Sequence, residues 1–202
     1  MPKRRPLRSD HLRRALAQEA ARVMSEHGIR DFLAAKRKAA DRLGVTDNAV
    51  LPKNTEIEAA LGEYQRLFGG ASHVESLQAQ RQAALAAMRR LRDFEPRLVG
   101  PVLAGTATEH SDVQLHLFAD TPESVALSLM DQGIRPDLTA RRVKMNADRV
   151  LECPAVRFEI DDQEIEATVF PTDGIRQAPV SPVDGRPMRR ADVAELEALL
   201  DQ

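Results

Sequence analysis

The chain has 202 residues, of which 43% are hydrophobic and 30% are charged, and its formal net charge is only -2. This balance excludes a general electrostatic attraction to nucleic acid, and a single cysteine, Cys153, excludes an internal disulfide and a cysteine-cluster zinc site. No apolar stretch approaches the roughly 18 residues that a membrane helix needs, so we expect no membrane partner and a cytoplasmic location.

The first part of the chain is helical by pattern. Apolar residues recur at helical spacing over residues 10–28, 31–44, 54–69 and 72–94, and Pro96 ends this pattern. We therefore predict a helical N-terminal region that ends at about residue 95. Its helices could pack on each other, or they could form an arm that docks on a partner protein or makes a homodimer.

The second part, residues 96–202, changes to strands. The segment Leu98–Phe118 begins as a short apolar run, passes through a turn with two glycines, and continues as a strand from Asp112. Side chains alternate along a strand, so Asp112, Gln114 and His116 are predicted to share one face while apolar residues occupy the other. Three polar side chains would thus lie along one side of a buried strand.

The remaining elements predict the fold class. Thr121 and Pro122 begin a helix that Gly133 follows, and residues 138–145 form a strand. Residues 156–160 and 165–170 form two further strands that make a hairpin around Asp161, Asp162 and Gln163. A closing helix covers residues 192–200. A strand, a helix and several strands packed against helices indicate an α+β domain over residues 96–202.

One group of residues in this domain is similar to a known signature. The spacing of Gly100, Gly105, Ser111, Asp112, Val113 and Leu115 resembles that of small bacterial members of the polymerase-beta-type nucleotidyltransferase superfamily. The later segment EIEATVFP resembles the strand that carries the third acidic residue of that family, which places Glu166 in the position of that acid. The resemblance implies a mixed sheet flanked by helices and a nucleotide-binding cleft.

The resemblance also implies roles for individual residues. In this family, carboxylates hold Mg²⁺ ions that bind the triphosphate, so Asp112 and Glu166 are the expected metal ligands. Gln114 and His116 complete the expected catalytic group. The alternative for His116 is a purely structural role, because Mg²⁺ prefers oxygen ligands. The predicted nucleotide contacts come from the glycine turn, from the residue before Asp112 and from a later basic strand: Gly100, Gly105, Thr106, Ser111, Arg142 and Lys144.

Two positions depart from the family pattern. Pro101 stands where the family has Ser, and Gln114 stands where it has the second metal-binding acid. An amide carries no charge, and losing one negative charge beside a divalent ion costs on the order of several kcal/mol. We therefore predict a nucleotide-binding pseudoenzyme. Basic residues near the cleft, with Arg186, Arg189 and Arg190 after a proline-rich loop, would then neutralise the phosphates.

Two alternatives remain open from the sequence. The first is an active enzyme that transfers a nucleoside monophosphate from an NTP to a hydroxyl of a protein, an RNA or a small molecule. The second is a helical dimerisation or interaction protein in which the cleft is vestigial. The residue that separates the first alternative from the pseudoenzyme is Gln114.

Overall fold

A computed structural model describes residues 6–146 and 148–201, and the chain divides into two compact units. The first unit comprises the residues up to Val74 together with Thr108–Ser111, and the second comprises Glu75–Ala107 and the residues from Asp112 onwards. The division falls near the start of one long helix, so most of that helix belongs to the second unit. Each unit has its own hydrophobic core.

The first unit is helical, as the sequence predicts. It contains α1 (Pro6–His27), α2 (Phe32–Leu43) and α3 (Asn54–Tyr64), which leads through a π-helical turn (Gln65–Gly69) into α4 (Gly70–Arg90). Buried side chains from the first three helices form its core: Leu16, Ala17, Ala20, Met24, Ala35, Ala39 and Ile57. These residues are spaced so that each helix buries one stripe, which is how an amphipathic helix packs.

Local signals fix the ends of α2. The Asp31 carboxylate accepts a hydrogen bond from the Ala34 backbone N–H at 2.7 Å, which satisfies one of the amides that a helix start leaves unpaired. Gly44 ends the helix with φ of 65°, a left-handed conformation that glycine adopts at little cost. Both residues were identifiable from the sequence.

The second unit is built on a five-stranded mixed sheet in the order β1-β2-β5-β4-β3. Its elements follow the chain as β1 (Arg97–Val99), α5 (Gly100–Ala104), β2 (Val113–Phe118), α6 (Pro122–Asp131), β3 (Asp137–Lys144), β4 (Val150–Ile160), β5 (Gln163–Phe170) and α7 (Val193–Leu200). Strand β2 is parallel to β5, and the other neighbouring pairs are antiparallel. The α+β class predicted from the sequence is confirmed.

The sheet has one apolar face and one largely polar face. Residues of the apolar face pack with α4, α6 and α7 in the main core, which includes Leu98, Val113, Leu115, Leu117, Val156, Phe158, Ile165, Ala167, Ala84, Met88, Leu129 and Leu196. Alternation along each strand leaves every second residue for the other side of the sheet. None of the described helices is long and apolar enough to cross a membrane.

Candidate functional site

The polar face is assembled by the register of four strands. Gln114 of β2 lies beside Glu166 of β5, and Glu166 lies beside Arg157 of β4. Arg141 of β3 pairs with Cys153, four residues before Arg157, and therefore projects from the same face. Residues that are far apart in the sequence thus meet above the middle of the sheet.

Glu166 is the centre of this group because two arginines bind its carboxylate. Arg141 donates a hydrogen bond to Oε1 at 2.5 Å, and Arg157 donates one to Oε2 at 2.9 Å. Glu166 has only 11% of its side chain exposed, whereas the two arginines have 37% and 42% exposed. The carboxylate therefore lies beneath the arginines, which present their other sides to solvent.

The charges of the group set the pKa of Glu166. Burial alone raises the pKa of this carboxyl, but the charges and hydrogen bonds of Arg141 and Arg157 outweigh burial, and the net pKa is lowered. The hydrogen bond from Arg157 to Glu166 in turn raises the pKa of Arg157, with smaller contributions from the charges of Glu164 and Asp112. Asp112, which directly precedes β2, thus acts on Arg157 through its charge.

Gln114 connects this group to the glycine turn. Arg141 donates a second hydrogen bond, at 3.4 Å, to the amide oxygen of Gln114. Gly100, at the start of α5, has φ of 75°, and a Cβ atom placed there would lie 2.7 Å from that oxygen. Glycine at position 100 therefore leaves the space that the Gln114 side chain occupies.

The other end of the polar face is covered by the chain after β5. Residues 171–191 pass through a 3₁₀ turn (Thr172–Arg176), make a backbone hydrogen bond from Val180 to Lys144, and pair with β1 at Ala191. Ile175 packs on a small apolar cluster of the same face, made by Phe118, Val143, Cys153 and Phe170. We call this half the covered end, and the half with Gln114, Glu166, Arg141 and Arg157 the open end.

His116 and Arg190 lie in the covered end. Arg190 donates from Nε to His116 Nδ1 at 3.1 Å, and its Nη1 donates to the carbonyl oxygens of Gly174 and Ile175. Its guanidinium also lies 5.0 Å from the ring centre of Phe118 and 5.5 Å from that of Phe170. Arg190 thereby fastens residues 174–190 to the sheet.

Burial and the contact with Arg190 together set the protonation state of His116. Burial, followed by the charges of Arg190 and Arg141, lowers the pKa of His116 to about 3, so the ring is neutral near pH 7. Because Nδ1 accepts a hydrogen bond, the ring proton is on Nε2. His116 is 5% exposed, which agrees with the structural reading of this residue and gives it no open position for a metal or substrate.

Two other predicted nucleotide contacts, Arg142 and Lys144, project from the opposite face of β3 to Arg141 and are exposed. They therefore do not share a face with the open end. Ser111 belongs to the first unit, where its hydroxyl oxygen accepts a hydrogen bond from the Thr108 N–H at 2.9 Å.

The glycine turn is a short helix. Gly105 ends α5 in a left-handed conformation with φ of 81°. The backbone N–H of Thr106 donates to the carbonyl oxygen of Pro101 at 3.0 Å, so this donor is already used within the turn. The sequence predicted phosphate contacts through the backbone of Gly105 and Thr106 and through the Thr106 hydroxyl; the fold uses the two backbone N–H groups to close the helix.

Sequence reasoning did not select Arg141 or Arg157, the two residues that dominate the open end. Both lie on strands whose bounds the sequence pattern predicts in part. Alternation shows that Arg141 and Arg142 project from opposite faces of their strand, but it does not show which of them faces the site. A signal existed in the hairpin, since Arg157 and Glu166 lie symmetrically about Asp161 and Asp162. Counting outward from a turn of these two residues pairs them, whereas the predicted turn included Gln163 and would pair Arg157 with Ala167.

The donors of the open end do not fit a magnesium ion. Both oxygens of Glu166 are bound by arginines, Gln114 is uncharged, and its oxygen accepts from the same Arg141. Mg²⁺ requires several oxygen ligands and would face two guanidinium charges here. Within residues 6–146 and 148–201, no group of three or more His, Cys, Asp or Glu side chains is arranged to hold a metal ion.

Comparison of the chain with protein-family models, with curated proteins and with solved structures found no match. The resemblance to nucleotidyltransferases therefore stays a prediction that rests on Gly100, Asp112, Glu166 and their neighbours.

Proposed function

We propose that this protein is a nucleotidyltransferase-like nucleotide-binding protein without transferase activity, and that its open end binds the phosphates of the nucleotide through arginine. The observation that carries the proposal is Arg141. Its guanidinium contacts both Glu166 and Gln114, two of the three positions at which the resemblance expects metal-binding acids. A cation of the protein itself thus contacts two positions expected to contact a metal ion.

The chemistry of arginine supports this assignment. A guanidinium is always charged near neutral pH and presents paired N–H donors whose geometry matches a phosphate group. More than a third of the side chain of Arg141 and of Arg157 is exposed, so a phosphate can approach both arginines from solvent. A guanidinium cannot, however, coordinate the attacking hydroxyl and lower its pKa as a metal ion does, and Gln114 supplies no second negative charge. Binding without catalysis follows from both features.

The experiment is a calorimetric titration of each of the four NTPs in EDTA and again with Mg²⁺. We expect binding in EDTA, because the cation that meets the phosphates belongs to the protein. Arg141→Ala should weaken binding about 10- to 100-fold, the effect of losing a charge-assisted pair of hydrogen bonds worth about 1.5–3 kcal/mol.

Arg142→Ala is the matched control. It removes the same side chain from the next residue of β3, on the opposite face, and should change affinity by no more than about twofold. Inorganic tripolyphosphate should bind through the same arginines, whereas a nucleoside without phosphate should bind far more weakly. Absence of binding by every NTP, or equal effects of the two alanine variants, would refute the proposal.

A further inference from the structure

Glu166 contacts the same two arginines that the proposed ligand would contact. In the described structure its carboxylate takes the hydrogen bonds from Arg141 and Arg157 that a phosphate would take. A carboxylate and a phosphate both offer two oxygens to a guanidinium, so they compete for the same donors. An anion that approaches the open end from solvent therefore meets arginines whose charge the buried Glu166 carboxylate already neutralises.

We propose that Glu166 is a built-in competitor for the phosphate-binding arginines, and that a polyphosphate ligand binds by drawing Arg141 and Arg157 away from it. This inference rests on the proposed function, because it concerns the same two arginines. It sets the ligand class as well. A single negative charge would gain little by replacing the buried carboxylate, whereas a di- or triphosphate offers more charges than Glu166 does.

The different exposure of the three side chains allows Arg141 and Arg157 to leave Glu166 and contact a phosphate. Glu166 is held under the arginines at 11% exposure, while Arg141 and Arg157 have more than a third of their side chains exposed. The guanidinium groups can therefore turn towards solvent while Glu166 stays in place. Gln114 accepts from the second nitrogen of Arg141 at 3.4 Å, a long contact that holds Arg141 only weakly.

The competitor role and a metal-ligand role predict opposite effects of one substitution. Glu166→Gln keeps the shape of the side chain but removes its charge, so it should release the arginines and tighten binding of tripolyphosphate and of ATP in EDTA by about tenfold. A glutamate that binds a catalytic metal would instead be required, and its replacement would weaken Mg²⁺-dependent binding.

Glu164→Gln provides the matched control. Glu164 is two residues away on β5, and its closest charge contact is 3.7 Å, to Arg157, with 53% of its side chain exposed. This variant removes the same charge without releasing Arg141, so it should change affinity by about twofold at most. Equal tightening in both variants would mean that only the total charge matters, and the competitor role would be wrong.

Circular dichroism would show whether Glu166→Gln folds. If it does not, a third variant, Glu166→Asp, tests the competitor role. Glu166→Asp keeps the charge but shortens the side chain by one methylene, so its carboxylate cannot reach both arginines as it does now. It should also tighten tripolyphosphate binding. Unchanged or weaker binding in the folded variants overturns the competitor role, while wild-type binding that depends on Arg141 would leave the proposed function intact.

Discussion

The contact between Gly100 and Gln114 gives a prediction that separates a structural glycine from a ligand-binding glycine. Replacing Gly100 with Ala places a Cβ atom 2.7 Å from the Gln114 amide oxygen and forces a non-glycine residue to adopt φ of 75°. The left-handed conformation costs about 1–2 kcal/mol. Moving the Gln114 amide away from Arg141 adds about 0.5–1.5 kcal/mol, because their hydrogen bond is long at 3.4 Å.

The expected loss of stability for Gly100→Ala is therefore about 1.5–3.5 kcal/mol. Gly133→Ala is the control, since Gly133 also has φ of 75° but a Cβ atom there would meet nothing within 4 Å. Both substitutions reduce the freedom of the unfolded chain equally, so their difference isolates the contact with Gln114. We expect Gly100→Ala to cost about 1 kcal/mol more than Gly133→Ala.

A double-mutant cycle tests the cause. In a Gln114→Ala background the amide that the new Cβ meets is absent and only the Cβ of residue 114 remains, at 3.6 Å, an ordinary contact; the excess cost of Gly100→Ala should therefore disappear. Hydrogen exchange of the β2 amides measures the free energy of opening within the sheet, without assuming that the two units unfold together. The same cost for Gly100→Ala with and without Gln114 would refute the reasoning.

Two further predictions concern the ionised groups of the polar face. The folded-state pKa of Glu166 is lowered. Its contribution to stability is therefore fully present above the unfolded pKa of about 4.3 and is lost as the pH falls through the folded value. When unfolding is measured from pH 7 to pH 2, the wild type should lose more stability than Glu166→Gln. Arg190→Lys should lose about 1–3 kcal/mol, because an ammonium group cannot reach His116, Gly174 and Ile175 together. The exposed neighbour Arg189→Lys should change stability by less than about 0.5 kcal/mol in the same hydrogen-exchange measurement, and equal losses would contradict the role given to Arg190.

The sequence alone determined most of the local structure. Thr121 and Pro122 begin α6, Asp192 caps α7, and the residues Asp161 and Asp162 form the turn between β4 and β5 with φ of 50° and 60°. These features depend on residues within one or two turns of each other, so local sequence carries the information. The alternation of β2 likewise placed Gln114 and His116 on one face without any knowledge of the neighbouring strands.

Only the tertiary structure decided which charges meet at the site. Arg141 and Glu166 are 25 residues apart, and whether Arg141 or Arg142 faces Glu166 depends on the register of β3 against β4, which a shift of one residue would reverse. The state of His116 depends in the same way on a distant residue, Arg190, which arrives with the segment that covers the sheet. Local patterns specify the strands and their faces, whereas the pairing of those strands determines that an arginine holds the carboxylate expected to bind a metal.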